Sequence, residues 1–442
     1  MGTAHRAGPR RGAMTAAAPL KWRTDFDKFV VTSNFDRRGW WRWDPDDGDD
    51  WNVFWANVHT VKQIFDPSNG IRLGEHQIVN HFPNHYELTR KDLMVKNMRR
   101  YRKELEKEAR ERGDDASCVP DFVPLTFSLP ADYSLFVEEF RRVPHATWIV
   151  KPTGKAQGKG IFLINKLAQV KRWATGVNAP GAGARAPSQA SREEAHVVSR
   201  YVADPLLVGG KKFDLRIYVV VTSYRPLRAY ISRLGFARFC NVKYEDASDD
   251  LGNVYAHLTN VAIQKRGEEY NAAHGNKWSL ANLRLYLEST RGREATDELF
   301  AGINDAIEHS LRSVQNVIIN DRRCFELYGY DLLVDESMKP WLIEVNASPS
   351  LSATTEADRA LKNRVIHDAL AVAVYPGRLS EGGRGSSAKR RSTEPAWVLA
   401  GGVPPSVAGT LDVLCDDAAA ARETERRANS RGAQRTRQGM RR

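Results

Sequence analysis

The stretch DLLVDESMKPWLIEVNASPS carries the residues best suited to chemistry. Asp331 lies in one apolar run. Glu344 and Asn346 lie in the next, two residues apart, so on a strand both point to the same face. The DESMK turn between the runs permits a hairpin, which sets Asp331 opposite that pair. Two carboxylates and an amide oxygen are hard ligands, a set suited to Mg²⁺ held together with phosphates. Surface carboxylates on a hairpin are the plain alternative, but Trp341, Leu342, Ile343 and Val345 make the flanking positions apolar.

A second segment, TWIVKPTGKAQGKGIFLI, delivers Lys151 from an apolar strand into a Gly/Lys loop and then a second strand. Backbone N–H groups at Gly158 and Gly160 can approach phosphates closely, and lysine adds positive charge. The spacing is not that of the G-x-x-x-x-G-K-[ST] loop, and the protein-kinase signatures are missing. Two strands flanking a flexible loop suit an ATP-grasp arrangement; an ordinary hairpin turn remains open. In a third segment, GGKKFDLRIYVVV, Lys212, Asp214 and Arg216 alternate with Phe213, Leu215 and Ile217. A half-exposed strand carries the same alternation, so periodicity alone does not decide its role. LGFARFCNVKY and HLTNVAIQK continue the pattern and offer Arg238, Thr259, Asn260 and Lys265.

The elements around these segments mix strands and helices, which predicts an α/β or α+β architecture. Trp40, Trp41, Trp43, Trp51, Phe54 and Trp55 read as core of an N-terminal subdomain. Thr89, with Asp92 three residues on, predicts a helix start. In that helix Lys96, Arg99, Arg100 and Lys103 share one side, either facing an acidic protein or solvated. Trp278, Leu280, Leu283, Leu285 and Leu287 open a helical region that runs to about residue 317. Residues 1–19 read as a disordered leader, 174–192 as a flexible insertion, and 378–442 as a basic, disordered tail beyond a folded unit of 20–377.

Composition fits a folded protein, with 42% hydrophobic and 27% charged residues. The net charge of +12 is concentrated in the two ends, which suits salt-sensitive contact with an acidic polymer. Acids interleaved among the N-terminal tryptophans argue against a nucleic-acid surface, and no apolar run is long enough for a membrane span. Cys118, Cys240, Cys324 and Cys415 form no metal or disulfide pattern, which points to a reducing compartment.

Taken in order, WIVKPTGKAQGKGIFL, GGKKFDLRIYVVVTSYRPLRAY, HLTNVAIQK and YGYDLLVD…KPWLIEVNASPSL resemble the tubulin tyrosine ligase-like family over about residues 20–375. QIVNHFPNHYELTRKDLMVKN narrows the resemblance to its polyglutamylase branch. The resemblance implies an ATP-grasp-like fold with N-terminal, central and C-terminal subdomains. It also implies ATP- and Mg²⁺-dependent addition of free L-glutamate to tubulin tails through an acyl phosphate.

Residue by residue, Lys151 would meet an ATP phosphate, and Gln157 and Gly158 would lie over the nucleotide. Ser199, Arg200, Tyr201 and Val202 would form the hinge beside the adenine. Lys212 and Asp214 would hold the nucleotide from the facing strand, with Thr259 and Asn260 near the phosphates. Arg238 and Lys277 would bind the incoming glutamate, and Asp331, Glu344 and Asn346 would hold magnesium. His81, His85 and His257 are expected to be structural or to face substrate. Glycine or tyrosine ligation and an inactive microtubule-binding subunit remain the alternatives. Microtubules and other polyglutamylase subunits are the implied partners. The cytoskeleton of the cytoplasm, and the axoneme or basal body, is the implied location.

Overall fold

In the computed structural model, described residues are 19–115, 119–155, 157–174, 195–244, 251–271, 276–353, 355–375, 409–421 and 424. The expected leader and insertion lie outside them apart from their edge residues, as does most of the expected tail. The chain is mixed α/β with three sheets among the described residues.

The N-terminal region pairs β1 (Lys21–Thr24) with β2 (Trp41–Arg42) and β3 (Val53–Trp55), and β3 with β4 (Ile78–Val79), all parallel. Helices α1 (Phe29–Asp36) and α2 (Val58–Ile64) fall between these strands. Trp51, Phe54 and Trp55 are buried as expected, whereas Trp41 is 61% exposed. It lies on the two-residue strand β2, where both residues are exposed.

Helix α3 (Tyr86–Thr89) then precedes the long α4 (Lys91–Arg112). Thr89 does not cap α4: its hydroxyl donates to the His85 carbonyl at 3.3 Å, closing α3. Arg90 occupies the cap position without a side-chain cap bond.

The second sheet is antiparallel, in the order β5 (Thr126–Leu129), β8 (His196–Arg200), β6 (Trp148–Pro152) and β7 (Phe162–Ile164). Helices α5 (Tyr133–Arg142) and α6 (Leu167–Ala174) belong to this unit. Phe136, Phe140, Trp148 and Val198 form its core.

The third sheet is the largest. Strand β9 (Leu207–Val208) leads into β10 (Lys211–Tyr224) and β11 (Leu227–Phe239). After the short helices α7 (Val254–His257) and α8 (Val261–Gln264) come β12 (Lys277–Ser279), α9 (Leu280–Arg291) and α10 (Arg293–Gln315). Strands β13 (Glu326–Val334) and β14 (Pro340–Asn346) follow, then α11 (Glu356–Ala373) and β15 (Leu411–Asp416). The main path is β12-β11-β10-β13-β14, with β9 on β10 and β15 on β11. Trp278, expected to open a helix, is instead in β12; α9 begins two residues later, where the Ser279 hydroxyl accepts from the Asn282 N–H. The 411–416 strand departs from the expected disordered tail. Leu411 and Cys415 are buried against β11, while Val413 points outward.

The period-two alternation of β10 divides its faces. Phe213, Leu215, Ile217 and Val219 pack under α4, α9 and α10. Leu299, Ile303, Ile307, Leu311 and Val314 provide the apolar stripe of α10. On the opposite face, Tyr218 and Val220 pack with α11 and the N-terminal sheet. The preceding residues of that face are Lys212, Asp214 and Arg216, so the sheet's buried charge begins where its apolar cover ends.

Candidate functional site

Register across the large sheet gathers the charged residues in one band. Asp214 on β10 faces Arg238 on β11, which faces Lys277 on β12. In the other direction, Arg216 faces Asp331 on β13, which faces Glu344 on β14. The β13–β14 turn holds this pairing: Asp335 accepts from the Lys339 N–H, the Ser337 hydroxyl and the Trp341 indole. A register shift just after the Asp331–Glu344 pair makes Ile343 the extra residue of a bulge.

Arg238 donates to Asp214 at 2.7 and 2.5 Å and reaches Asp331 at 2.9 Å. Arg216 donates to both Asp331 oxygens, at 2.6 and 3.0 Å. Burial alone would raise the Asp331 carboxyl, but the two guanidiniums hold it well below the usual carboxylate range. A β-carbon at Gly329 would lie 2.8 Å from the Pro349 Cβ and 3.3 Å from the Arg216 Cδ, so glycine there leaves room for both. Asn346 Nδ2 lies 3.4 Å from a carboxylate oxygen of both Asp331 and Glu344.

Facing this band across a cavity stands the four-stranded sheet. Lys151 on β6 and Ser199 on β8 line the cavity, followed by Arg200, Tyr201 and Val202. Gln157 and Gly158 close it from the Gly-rich loop, and His257, Thr259 and Asn260 from the segment around α7. Both loop residues have positive φ, 64° and 75°. A β-carbon at 158 would sit 2.5 Å from Ile263 Cδ1, so glycine, at its positive φ, lets the loop rest on α8 without displacing that side chain.

Lys212, Asp214, Asp331 and Glu344 complete the wall opposite. Burial pushes the ammonium groups of Lys151 and Lys212 down to about 8; Glu344 and Asp214 respectively oppose the shift, and Lys151 adds to that of Lys212. Lys212 donates to the Tyr201 hydroxyl at 2.7 Å, which lies 3.0 Å from His257 Nδ1. Burial drives the Tyr201 phenol far above its ordinary range, so it stays neutral.

Thirteen sequence-predicted residues therefore line one cavity: Lys151, Gln157, Gly158, Ser199 to Val202, Lys212, Asp214, Thr259, Asn260, Asp331 and Glu344. Arg238 and Asn346 stand behind its wall, touching the carboxylates. Lys277 is turned away to Asp358 at 2.9 Å, and that carboxylate also holds Lys362 at 3.1 Å. His81 is a buried anchor, with Nδ1 2.5 Å from Glu326. A wider cleft of 910 Å³ lies on the far side of Arg200 to Asp204 but lacks the converging lysines and strand carboxylates.

Two residues absent from the sequence-predicted set belong to the site. Arg216 was visible in the β10 alternation; its partner was not. Lys91, the first residue of α4, reaches Glu344 at 3.2 Å and the Lys155 carbonyl at 3.4 Å. No local pattern distinguishes it from the other lysines of α4.

Residues 70–381 match the family model described as the tubulin-tyrosine ligase family. The chain belongs to that family and is an enzyme, a ligase. It is 54% identical to the probable alpha-tubulin polyglutamylase Ttll1 of Tetrahymena thermophila over 364 residues, covering 81% of this chain and 87% of that one. It is 43% identical to the probable tubulin polyglutamylase TTLL9 of Bos taurus, covering 82% and 81%. Against the tubulin polyglutamylase TTLL5 of Homo sapiens it is 35% identical, covering 79% of this chain and 25% of the human protein.

Proposed function

We propose that this ligase adds free L-glutamate to glutamate side chains in tubulin C-terminal tails, using ATP and Mg²⁺. One observation carries the reading: Lys151 and Lys212 enter a single cavity from opposing antiparallel sheets, beside the Asp331–Glu344 hairpin. That arrangement suits an ATP-grasp site, in which two sheets close on a nucleotide and a flexible loop covers its phosphates. The catalytic unit is taken as residues 20–377, with the 411–416 strand adding an edge.

The residue types fit magnesium, two carboxylates and an amide on one hairpin, since hard oxygen donors are what that ion takes; Asn346 now turns its Nδ2 to both carboxylates, so its amide would rotate to offer oxygen. Asp331, Glu344 and Asn346 would hold it, and when bound it would neutralise phosphate charge. Lys151 and Lys212 hold phosphate oxygens, with Gln157 and Gly158 above them and Thr259 and Asn260 beside them. Ser199 to Val202 border the base, and Asp214 holds the nucleotide from β10. Arg238 and Lys277 would bind the incoming glutamate, each exchanging a carboxylate of the protein, Asp214 or Asp331 for Arg238 and Asp358 for Lys277, for one of the amino acid.

The acceptor carboxylate attacks the γ-phosphorus of ATP, releasing ADP and leaving an acyl phosphate. The amino group of free glutamate attacks the acyl carbon, phosphate leaves, and an isopeptide bond forms. Positioning and charge neutralisation do the chemistry, so no enzyme nucleophile is required. Partner subunits of a polyglutamylase complex are expected to supply targeting. The cytoskeleton, with the axoneme or basal body, is the expected place of action.

The test is ATP-dependent incorporation of labelled glutamate, glycine and tyrosine into microtubules, with and without cell extract as a source of partners. Glutamate incorporation that Glu344→Gln abolishes is expected. Glycine or tyrosine incorporation overturns the amino-acid assignment. ATP binding without any incorporation indicates an inactive subunit.

A further inference from the structure

The basic side of α4 borders a groove of 490 Å³ between that helix and the β5–α5 turn. Lys96, Arg99, Arg100 and Lys103 line it, with Ser128 and Asp132 from the turn. The two arginines are committed to the fold. Arg99 pairs with Asp132 at 2.7 Å and donates to the Thr126 carbonyl, while Arg100 donates to the Ser313 carbonyl on α10 at 2.7 Å. The acids of the groove are also engaged, Asp92 by Arg90 and Asp132 by Arg99. Lys96 and Lys103 are exposed, and neither has an ion pair among the described residues.

The groove adjoins the candidate site. The first turns of α4 send Lys91, Met94 and Val95 into the cavity, and Asp92, Leu93 and Lys96 into the groove. We propose that this groove is the docking track for an acidic peptide, the segment of the protein substrate flanking the modified glutamate; this rests on the reading above. Lys96 and Lys103 are seven helical residues apart, about 10 Å. An extended peptide covers that in about three residues. The track therefore favours carboxylates spaced about three residues apart, running away from the residue in the cavity.

The experiment uses the full chain and a fluorescein-labelled, glutamate-rich dodecapeptide, read by anisotropy at several salt concentrations. In K96E/K103E the Kd is expected to rise about tenfold or more and lose most of its salt dependence. K107E, which changes an exposed lysine outside the groove, should leave the Kd within about twofold, and nucleotide affinity should not move in either variant. Unchanged peptide affinity in K96E/K103E, or no binding by the wild type, overturns the proposal. So does a single-stranded oligonucleotide that binds as tightly and is lost by the same reversal, since the face would then be unselective for polyanions. Peptide binding lost in K96E/K103E by a wild type that transfers no glutamate keeps the track and removes the catalytic reading. Glutamate transfer with an unchanged acceptor KM in K96E/K103E removes the track alone.

Discussion

Arg216 grips Asp331 through two parallel hydrogen bonds, at 2.6 and 3.0 Å, across 115 residues of sequence. Both side chains are buried, so removing Asp331 strands the Arg216 charge, and removing Arg216 leaves the Asp331 carboxylate only the Arg238 guanidinium among the described residues. Arg216→Ala should cost about 3–5 kcal/mol in urea unfolding. Arg216→Lys keeps the charge but loses the fork, and should recover part of the stability without recovering transfer. The sign with pH follows. Asp331 has a depressed folded value, so its contribution is present above its unfolded value of about 3.9 and vanishes only in far more acid solution. The stability gap between wild type and Arg216→Ala should therefore persist at neutral pH and close well below pH 4. Equal urea midpoints at neutral pH would exclude this pairing.

Lys151 and Lys212 give an alkaline signature. Their folded values, about 8, lie below the ordinary lysine value. Between those limits the unfolded chain binds more protons, so the free protein should gain stability as pH rises through that window. Phosphate binding favours the charged ammonium and reverses the preference. Nucleotide affinity should fall above pH 8, by up to about tenfold per pH unit for each proton taken up. Calorimetry near pH 8.5 in buffers of different ionisation enthalpy should register proton uptake on nucleotide binding. A flat affinity from pH 7 to 9 with no uptake rules out these lysines as the phosphate contacts.

The contrast between Glu344 and Lys91 shows what was legible in the sequence. The Asp331–Glu344 pairing sits in a hairpin closed by a five-residue turn, so alternation and turn chemistry sufficed to place it. Lys91 reaches the same Glu344 from a helix at the other end of the chain, and only the tertiary fold brings it there. The alternation of Lys212, Asp214 and Arg216 was equally plain, yet it could not say that both arginines of the band converge on Asp331. Thr89 misled because its spacing to Asp92 imitates a cap, while the backbone had already closed one short helix there. The 411–416 strand was missed because six residues among Gly, Ala and Arg give too little periodicity to read.

The Gly-rich loop offers a steric test. Gly158 has φ 75°, and an added methyl would lie 2.5 Å from Ile263 Cδ1 and 3.0 Å from Asn260 Oδ1. Gly158→Ala pays the left-handed backbone penalty of about 1–2 kcal/mol and lifts the loop off α8. The KM for ATP should rise about tenfold while the thermal midpoint barely moves, since a surface loop opens independently of the core. Adding Ile263→Ala relieves the closest contact and should restore part of the affinity. An unchanged KM in Gly158→Ala separates the loop from the nucleotide.

The last strand tests where the folded unit ends. Its residues Leu411 to Cys415 pair antiparallel with Ser232 to Ala229 on β11, covering a stretch of that strand that β12 does not reach. Without this cover, the first half of β11 is an open edge, which folded proteins commonly protect. Leu411 is 3% exposed and joins the core formed by Tyr230, Tyr218 and α11, whereas Val413 is 48% exposed. Truncating a buried leucine removes transfer energy and leaves a cavity, so Leu411→Ala should cost about 2–4 kcal/mol. Val413→Ala, on the solvent side, should stay within about 0.5 kcal/mol. Urea midpoints of the two variants decide it: a large loss at Leu411 alone makes the strand an integral part of the fold, and equal small losses return this segment to the tail.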